Sequence, residues 1–266
     1  MQIAFSKMHG AGNDFILIDN RTSEISLTNE QVFHLCHRKY GIGADGLILL
    51  MNSTVNGLDF SMKYYNSDGF EGTMCGNGGR CITAFAASLG YSKSHFTFDA
   101  IDGIHYSEIL SHEETISYDI KLKMIDVSSI ELFEDDVFLN TGSPHLVVFV
   151  DNAKNAAVEG MGKMLRFDQR FAPAGTNVNF ASFSKGRLFV RTYERGVEAE
   201  TLSCGTGITA SAIAISNKLN LPFNTINVDA LGGSFEVTFE QNGDKYQNIW
   251  LRGPVKHSFN GTIEIH

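Results

Sequence analysis

Cysteine is scarce, with four residues in a chain of 266. That is too few for a disulfide scaffold, so Cys36, Cys75, Cys81 and Cys204 are expected to be thiols in a reducing cytosol. No CxxC or HxxxH spacing is present, and Cys75 and Cys81 lie six positions apart, so no zinc knuckle and no metal are expected. Basic residues are also short, 21 against 30 acidic ones, and they form no cluster. A net charge of −9 without a dense basic face excludes nucleic acid as the main partner. No apolar run is long enough to cross a bilayer, and "MQIAFSKMHG" lacks the long apolar core of a secretion signal. The expected location is cytoplasmic, with no membrane partner. No proline-rich or low-complexity linker divides the chain.

What is present is a soluble, globular composition, 43% hydrophobic and 19% charged, long enough for one large domain or two ordinary ones. "QIAFSKM" and "FILIDN" read as a hairpin around "HGAGND". "SLTNEQVFHLCHRKYG" reads as a helix capped by Thr28 and stopped at Gly41. "GLILLM" and "DFSMKYYN" are strands, and Ile82, Phe85, Ala86 and Leu89 recur at helical spacing up to Gly90. Strands follow near "HFTFDA", "GIHYSEIL" and "TISYDIKLKM". The second half repeats the plan. "PHLVVFV" is a strand, "NAAVEGMGKMLR" a weak helix, and "NVNFASFSKGRLFVRTYE" a hairpin. Ile208, Ala212, Ile215 and Leu219 mark a second amphipathic helix before "NTINVDA", "GSFEVTFE" and "YQNIWLRG". The expected class is α+β, a pseudo-repeat of two halves joined near Met124 to Val127. The expected domains are 1–125, with the strand 253–266 returning to it, and 126–252.

Each half carries a cysteine in a matching setting, "TMCGNGGRC" around Cys75 and "LSCGTGITA" around Cys204, followed by an apolar helix. A helix N-terminus presents unpaired N–H groups and partial positive charge, which stabilise a thiolate and bind a carboxylate. A thiolate and a thiol on opposite sides of an amino-acid α-carbon could remove the α-proton from one face and return a proton to the other. Cys36 and Cys81 lie inside helical periodicity and are read as small buried hydrophobes. "GAGNDF" and "GNGGRC" complete neither GxGxxG nor GxxxxGK[ST], so they are not read as nucleotide loops.

Together "KMHGAGNDFILID", "YNSDGFEGTMCGNGGRC", "TGSPH", "GTNVNF", "YERGVEAETLSCGTG" and the closing "GPVKHSFNGTIEI" resemble the diaminopimelate epimerase family over nearly the whole chain. The resemblance implies two pseudo-symmetric α/β domains, each with a mixed or antiparallel sheet wrapped around a central helix. It implies an isomerase that needs no cofactor and interconverts LL- and meso-2,6-diaminopimelate in lysine and peptidoglycan precursor biosynthesis, often as a homodimer. Carried over by position, Cys75 and Cys204 are the acid/base pair, and His145 and Glu194 tune them. Asn13, Asn66, Asn77, Asn177, Glu194 and Arg195 match substrate-contacting positions, and Gly76, Gly205 and Thr206 the backbone cradle of the reacting carboxylate. Three positions depart from many members: Gly46 replaces Gln, Ser143 replaces Asn, and one extra residue lies between Arg195 and Cys204. A water or a neighbour is expected to fill in at Gly46.

The nearest rival function is another cofactor-independent racemase of the same superfamily, such as a proline racemase. Phenazine-biosynthesis isomerases share the fold without the cysteine pair. From another class, a thiol redox protein or a non-catalytic amino-acid binder would also place two thiols at one cavity.

Overall fold

Residues 1–265 are described by a computed structural model in which the β-branched and aromatic runs become strands and both Cys-Gly-X-Gly segments become helix starts. The chain divides into two compact units, Met1–Leu122 with the segment from Pro254 onward, and Lys123–Gly253.

In the first unit β1 (Gln2–Gly10) and β2 (Asn13–Asp19) form a hairpin whose turn residues, Ala11 and Gly12, both have positive φ. Next come α1 (Asn29–Cys36), β3 (Gly46–Met51), β4 (Phe60–Asn66), α2 (Gly76–Ser88), β5 (His95–Ala100), β6 (Gly103–Glu113) and β7 (Ser117–Lys123). The strands neighbour one another in chain order, β2–β3 and β4–β5 parallel and the rest antiparallel. Residues 256–264 return to pair antiparallel with β1.

Period-two alternation gives this sheet two apolar faces. Ile16, Ile18, Leu47 and Leu49 pack with Val32, Leu35 and Cys36 of α1. On the other face α2 contacts β1, β2, β3 and β6, and Ile48 Cδ1 lies 3.4 Å from where a Cβ on Gly78 would sit. Every residue from Gly76 to Ala86 is buried, as expected of a helix enclosed by a sheet. Burying each large aliphatic side chain contributes about 1.5–3 kcal/mol relative to exposure.

The second unit repeats this three-layer plan. It holds β8 (Ile130–Phe133), β9 (Asp136–Asn140), β10 (Pro144–Phe149), α3 (Val158–Arg166), β11 (Asn177–Ser184), β12 (Arg187–Glu194), β13 (Ala199–Thr201), α4 (Gly205–Leu219), β14 (Thr225–Ala230), β15 (Gly233–Asn242) and the first part of β16 (Lys245–Glu264). β10–β11 and β12–β14 are parallel pairs, and β13 adds to the edge of β12. α4 is buried almost throughout and contacts β9, β10, β11, β12, β14 and β15. α3 covers the other face, where Val158 joins Leu146, Val148, Val178, Phe180 and Tyr193.

Local differences from the sequence reading have physical causes. Thr28 does cap α1, through a capping box with Gln31. The helix stops at Cys36 rather than running to Gly41, because the chain turns back onto its end. Ile42 and Gly43 donate to Leu35 O and Ala44 to Cys36 O, satisfying the last carbonyls. β8 and β9 are not evident in the sequence, since four acidic residues interrupt the apolar positions of "IELFEDDVFLN" and only Val137 and Leu139 there are buried. The final strand continues past Gly253 and Pro254 to Glu264.

Candidate active site

In the first unit Cys75 is the N-cap residue of α2. Its backbone is extended, and its Sγ accepts from Gly78 N at 3.2 Å. The thiol is half-buried. One turn on, the fully buried Arg80 donates to Gly76 O at 3.1 Å and to Asn77 Oδ1 at 2.6 Å. Burial pushes the Arg80 guanidinium down to about 10, against the opposing pull of the Cys81 and Cys75 sulfurs, so it stays a cation at neutral pH.

The same arginine starts a relay of side-chain amides. Asn77 Oδ1 is taken by Arg80, so its Nδ2 donates onward to Asn13 Oδ1 at 3.2 Å, and Asn13 Nδ2 donates to Asp45 Oδ2 at 2.8 Å. Arg38 closes the relay on Asp45 and Asp14. Burial opposes the Asp14 charge, but hydrogen bonds from Arg38 and Lys7 outweigh it and hold the carboxyl well below the usual range. Cys75, Gly76, Asn77 and Asn13 are thus brought together. Asn66 ends β4 opposite Gly46, the residue after Asp45 of this relay.

The space beside Gly46 is filled by a neighbour. A Cβ there would lie 2.6 Å from Tyr64 Cε2 and 2.7 Å from the Tyr65 carbonyl oxygen. The remaining thiols lie in cores: burial pushes Cys36 up to about 12 and raises Cys81 further.

In the second unit Cys204 is the N-cap residue of α4, buried at 6% exposure, with its Sγ 3.3 Å from Thr206 Oγ1. Thr206 Oγ1 lies 3.3 Å from Ser143 Oγ, and Ser143 Oγ lies 3.0 Å from His145 Nε2. Adjacent strands β10 and β11 hold the base of this path. His145 and Asn177 are register partners, and Asn179, two residues on, shares the face of Asn177. Asn177 Nδ2 donates to Ser143 Oγ at 3.2 Å and to Pro144 O at 2.9 Å, while its Oδ1 accepts from Arg195 N at 2.8 Å. Burial, with Arg195 nearby, pushes His145 down to about 3, against the hydrogen bond from Asn179. The histidine is therefore a neutral imidazole at physiological pH.

Glu194 ends β12 and accepts from Thr201 Oγ1 at 2.9 Å. The loop after Arg195 is anchored by Glu198, which takes Arg166 Nε at 3.1 Å and Gly196 N at 3.0 Å on its carboxylate, while its carbonyl takes the Tyr193 hydroxyl at 2.8 Å. Gly205 opens α4, and the Thr206 carbonyl accepts from Thr141 Oγ1 at 2.9 Å.

Sequence reasoning missed Arg80, Tyr64, Asn179 and Thr192. Asn179 left one usable signal, its place two residues after Asn177 in a strand. Arg80 left none, since a charged residue in an apolar helix reads as solvent-facing.

The sequence profile of the diaminopimelate epimerase family matches residues 5–123 and 137–258. Among curated proteins, the diaminopimelate epimerase of Flavobacterium psychrophilum is 48% identical, over 97% of this chain and 98% of its own length. That of Chlorobaculum tepidum is 40% identical, over 97% and 100%. Among solved structures, a Bacillus anthracis phenazine biosynthesis protein superposes with a TM-score of 0.77 over 100% of both chains at 16% identity. A hydroxyproline epimerase of Agrobacterium vitis superposes with a TM-score of 0.71, over 98% of this chain and 92% of its own, at 15% identity. These two likenesses establish the shared α/β fold.

Proposed function

The chain belongs to the diaminopimelate epimerase family, and from that premise we propose that it interconverts LL- and meso-2,6-diaminopimelate by a two-thiol acid–base reaction without a cofactor. The observation that carries the reading is the division of the thiols. Each unit sets one cysteine at the N-cap of its buried helix, and the other two thiols are core residues held protonated by burial.

In this reading one sulfur, as thiolate, takes the proton from the α-carbon. The electron pair left behind delocalises into the carboxylate. The other sulfur, as thiol, gives its proton to the opposite face, and the charges of the two cysteines are exchanged. The developing negative charge falls on the carboxylate, which the backbone N–H groups of the two helix starts, at Gly76, Asn77, Gly205 and Thr206, would receive. The hydroxyls of Thr206 and Ser143 link Cys204 to neutral His145. Glu194, Asn13, Asn66, Asn177 and Arg195 hold the rest of the substrate, with the Arg195 fork suited to a carboxylate. A cytoplasmic homodimer belongs to the same reading, and sedimentation would test the dimer.

Incubation with LL-diaminopimelate in D₂O under reducing conditions tests the reaction. Deuterium at the α-carbon and appearance of the meso isomer are expected. A proline-type racemase would exchange proline instead, and a binder or redox protein would exchange neither.

A further inference from the structure

Strand β4 sets Asn66 opposite Gly46 of β3, and Tyr64, two residues back, shares the face of Asn66. The Tyr64 ring lies over Gly46, so closely that a Cβ at position 46 would stand 3.1 Å from its hydroxyl. That hydroxyl donates to Asn66 Oδ1 at 2.9 Å. Tyr64 is buried and packs edge-to-face with Phe15 at 6.0 Å between ring centroids. Asn66 itself is exposed. On the far side of its amide runs the backbone of Gly72, whose N–H donates to Tyr64 O at 3.0 Å. A Cβ on Gly72 would fall 2.8 Å from Asn66 Nδ2. The carboxamide is therefore bracketed by a phenol on its oxygen and by bare backbone beside its nitrogen.

An asparagine side chain can offer either an acceptor or a pair of donors, and a half-turn of the amide exchanges them. We propose that Tyr64 is a positioning residue that occupies Oδ1 of the Asn66 carboxamide and leaves its NH₂ group as the donor for the substrate, so that this corner receives a carboxylate of the substrate and refuses an ammonium. The missing side chain at Gly46 makes room for the ring that does this. The proposal rests on the assignment of Asn66 as a substrate contact.

Steady-state kinetics with diaminopimelate test it through three variants. Tyr64→Phe keeps the ring and deletes the hydroxyl. KM should rise about three- to tenfold, the range one neutral hydrogen bond carries, with kcat within about twofold. In an Asn66→Ala background the same substitution should have no further effect, because the two residues act as one unit. A purely structural tyrosine would lower the melting temperature and change KM equally in both backgrounds, and that result overturns the proposal.

Asn66→Asp keeps the acceptor for Tyr64 and replaces the outward donors with negative charge. KM should then rise about 10- to 100-fold. An unchanged or lower KM would mean that the corner receives an ammonium, and would sink the idea even if Tyr64→Phe failed to fold. If wild-type protein exchanges no α-proton of diaminopimelate, the functional reading falls and the role of Tyr64 with it. If wild type is active and Tyr64→Phe is kinetically normal, only the positioning role is lost.

Discussion

Asn179 places its Nδ2 at 3.0 Å from Nδ1 of the buried His145. Thr192 Oγ1 donates to Asn179 Oδ1 at 3.0 Å, which fixes the orientation of the amide. His145 Nδ1 must then accept, so its proton sits on Nε2 and points to Ser143. Gly207 permits this arrangement, since a Cβ there would lie 2.3 Å from Asn179 Oδ1. One asparagine thereby sets the tautomer of the histidine below Cys204.

A buried neutral histidine makes stability depend on pH. His145 has its folded value pushed down to about 3 from 6.5. Above pH 6.5 neither state binds the proton, and the neutral form's contribution is fully present. Between 6.5 and 3 the unfolded chain binds a proton that the folded one does not, so stability falls on acidification, by up to about 1.4 kcal/mol per pH unit. Urea unfolding at pH 8, 6.5 and 5 should show this loss. The slope between pH 6.5 and 5 should be shallower in His145→Gln, and an equal slope would contradict the assignment.

Asn179→Ala should leave His145 Nδ1 and the Thr192 hydroxyl without their partner. The expected loss is about 1–3 kcal/mol in denaturant unfolding, the penalty of stranding buried polar groups. A shift below a few tenths would show that the site rearranges at no cost.

Thr206→Val removes the hydroxyl 3.3 Å from Cys204 Sγ. Alkylation of Cys204 by iodoacetamide at pH 7, followed in a Cys75→Ala background, should slow about tenfold, as expected for losing one hydrogen bond to a charged acceptor. Thr206→Ser should react like the parent. Equal rates in all three would remove the hydroxyl from the activation of this thiol.

Cys75→Ala and Cys204→Ala should each abolish turnover with circular dichroism unchanged. Cys36→Ala should lose about 1 kcal/mol of stability, as ordinary core substitutions do, and turn over normally. Residual epimerisation by either N-cap variant would exclude that sulfur from the proton transfer.

Gly46→Ala should destabilise by about 1–3 kcal/mol, because the added methyl meets both a ring and a backbone oxygen closer than 3 Å. Thermal unfolding reads the effect. A neutral result would show that the β3–β4 pair yields more easily than its packing suggests.

Much of the plan was legible in sequence because it depends on local chemistry. Thr28 and Gln31 form a capping box within one turn. Lys185 and Gly186 lie at a hairpin turn and have positive φ. The cysteine-glycine segments announce two helix starts. Where local signals conflict with long-range partners, the reading failed. The end of α1 was misplaced because residues 42–44 fold back on it, and β8–β9 were missed because their neighbours, not their composition, make them strands.

Sequence alone determined which groups are available: two thiols in matched N-cap settings, a set of asparagines, one histidine after "SP" and one Arg-bearing strand end. Short-range backbone preference suffices for that, since caps and turns are decided within a few residues. The tertiary structure decided what those groups touch. Thr206 and Ser143 meet across 63 positions and Asn179 and His145 across 34. The Tyr64 ring over Gly46 is a matter of strand register. Burial at those contacts, not residue identity, makes His145 neutral and Cys36 inert, because losing water shifts ionisation only once the whole chain has closed around the group.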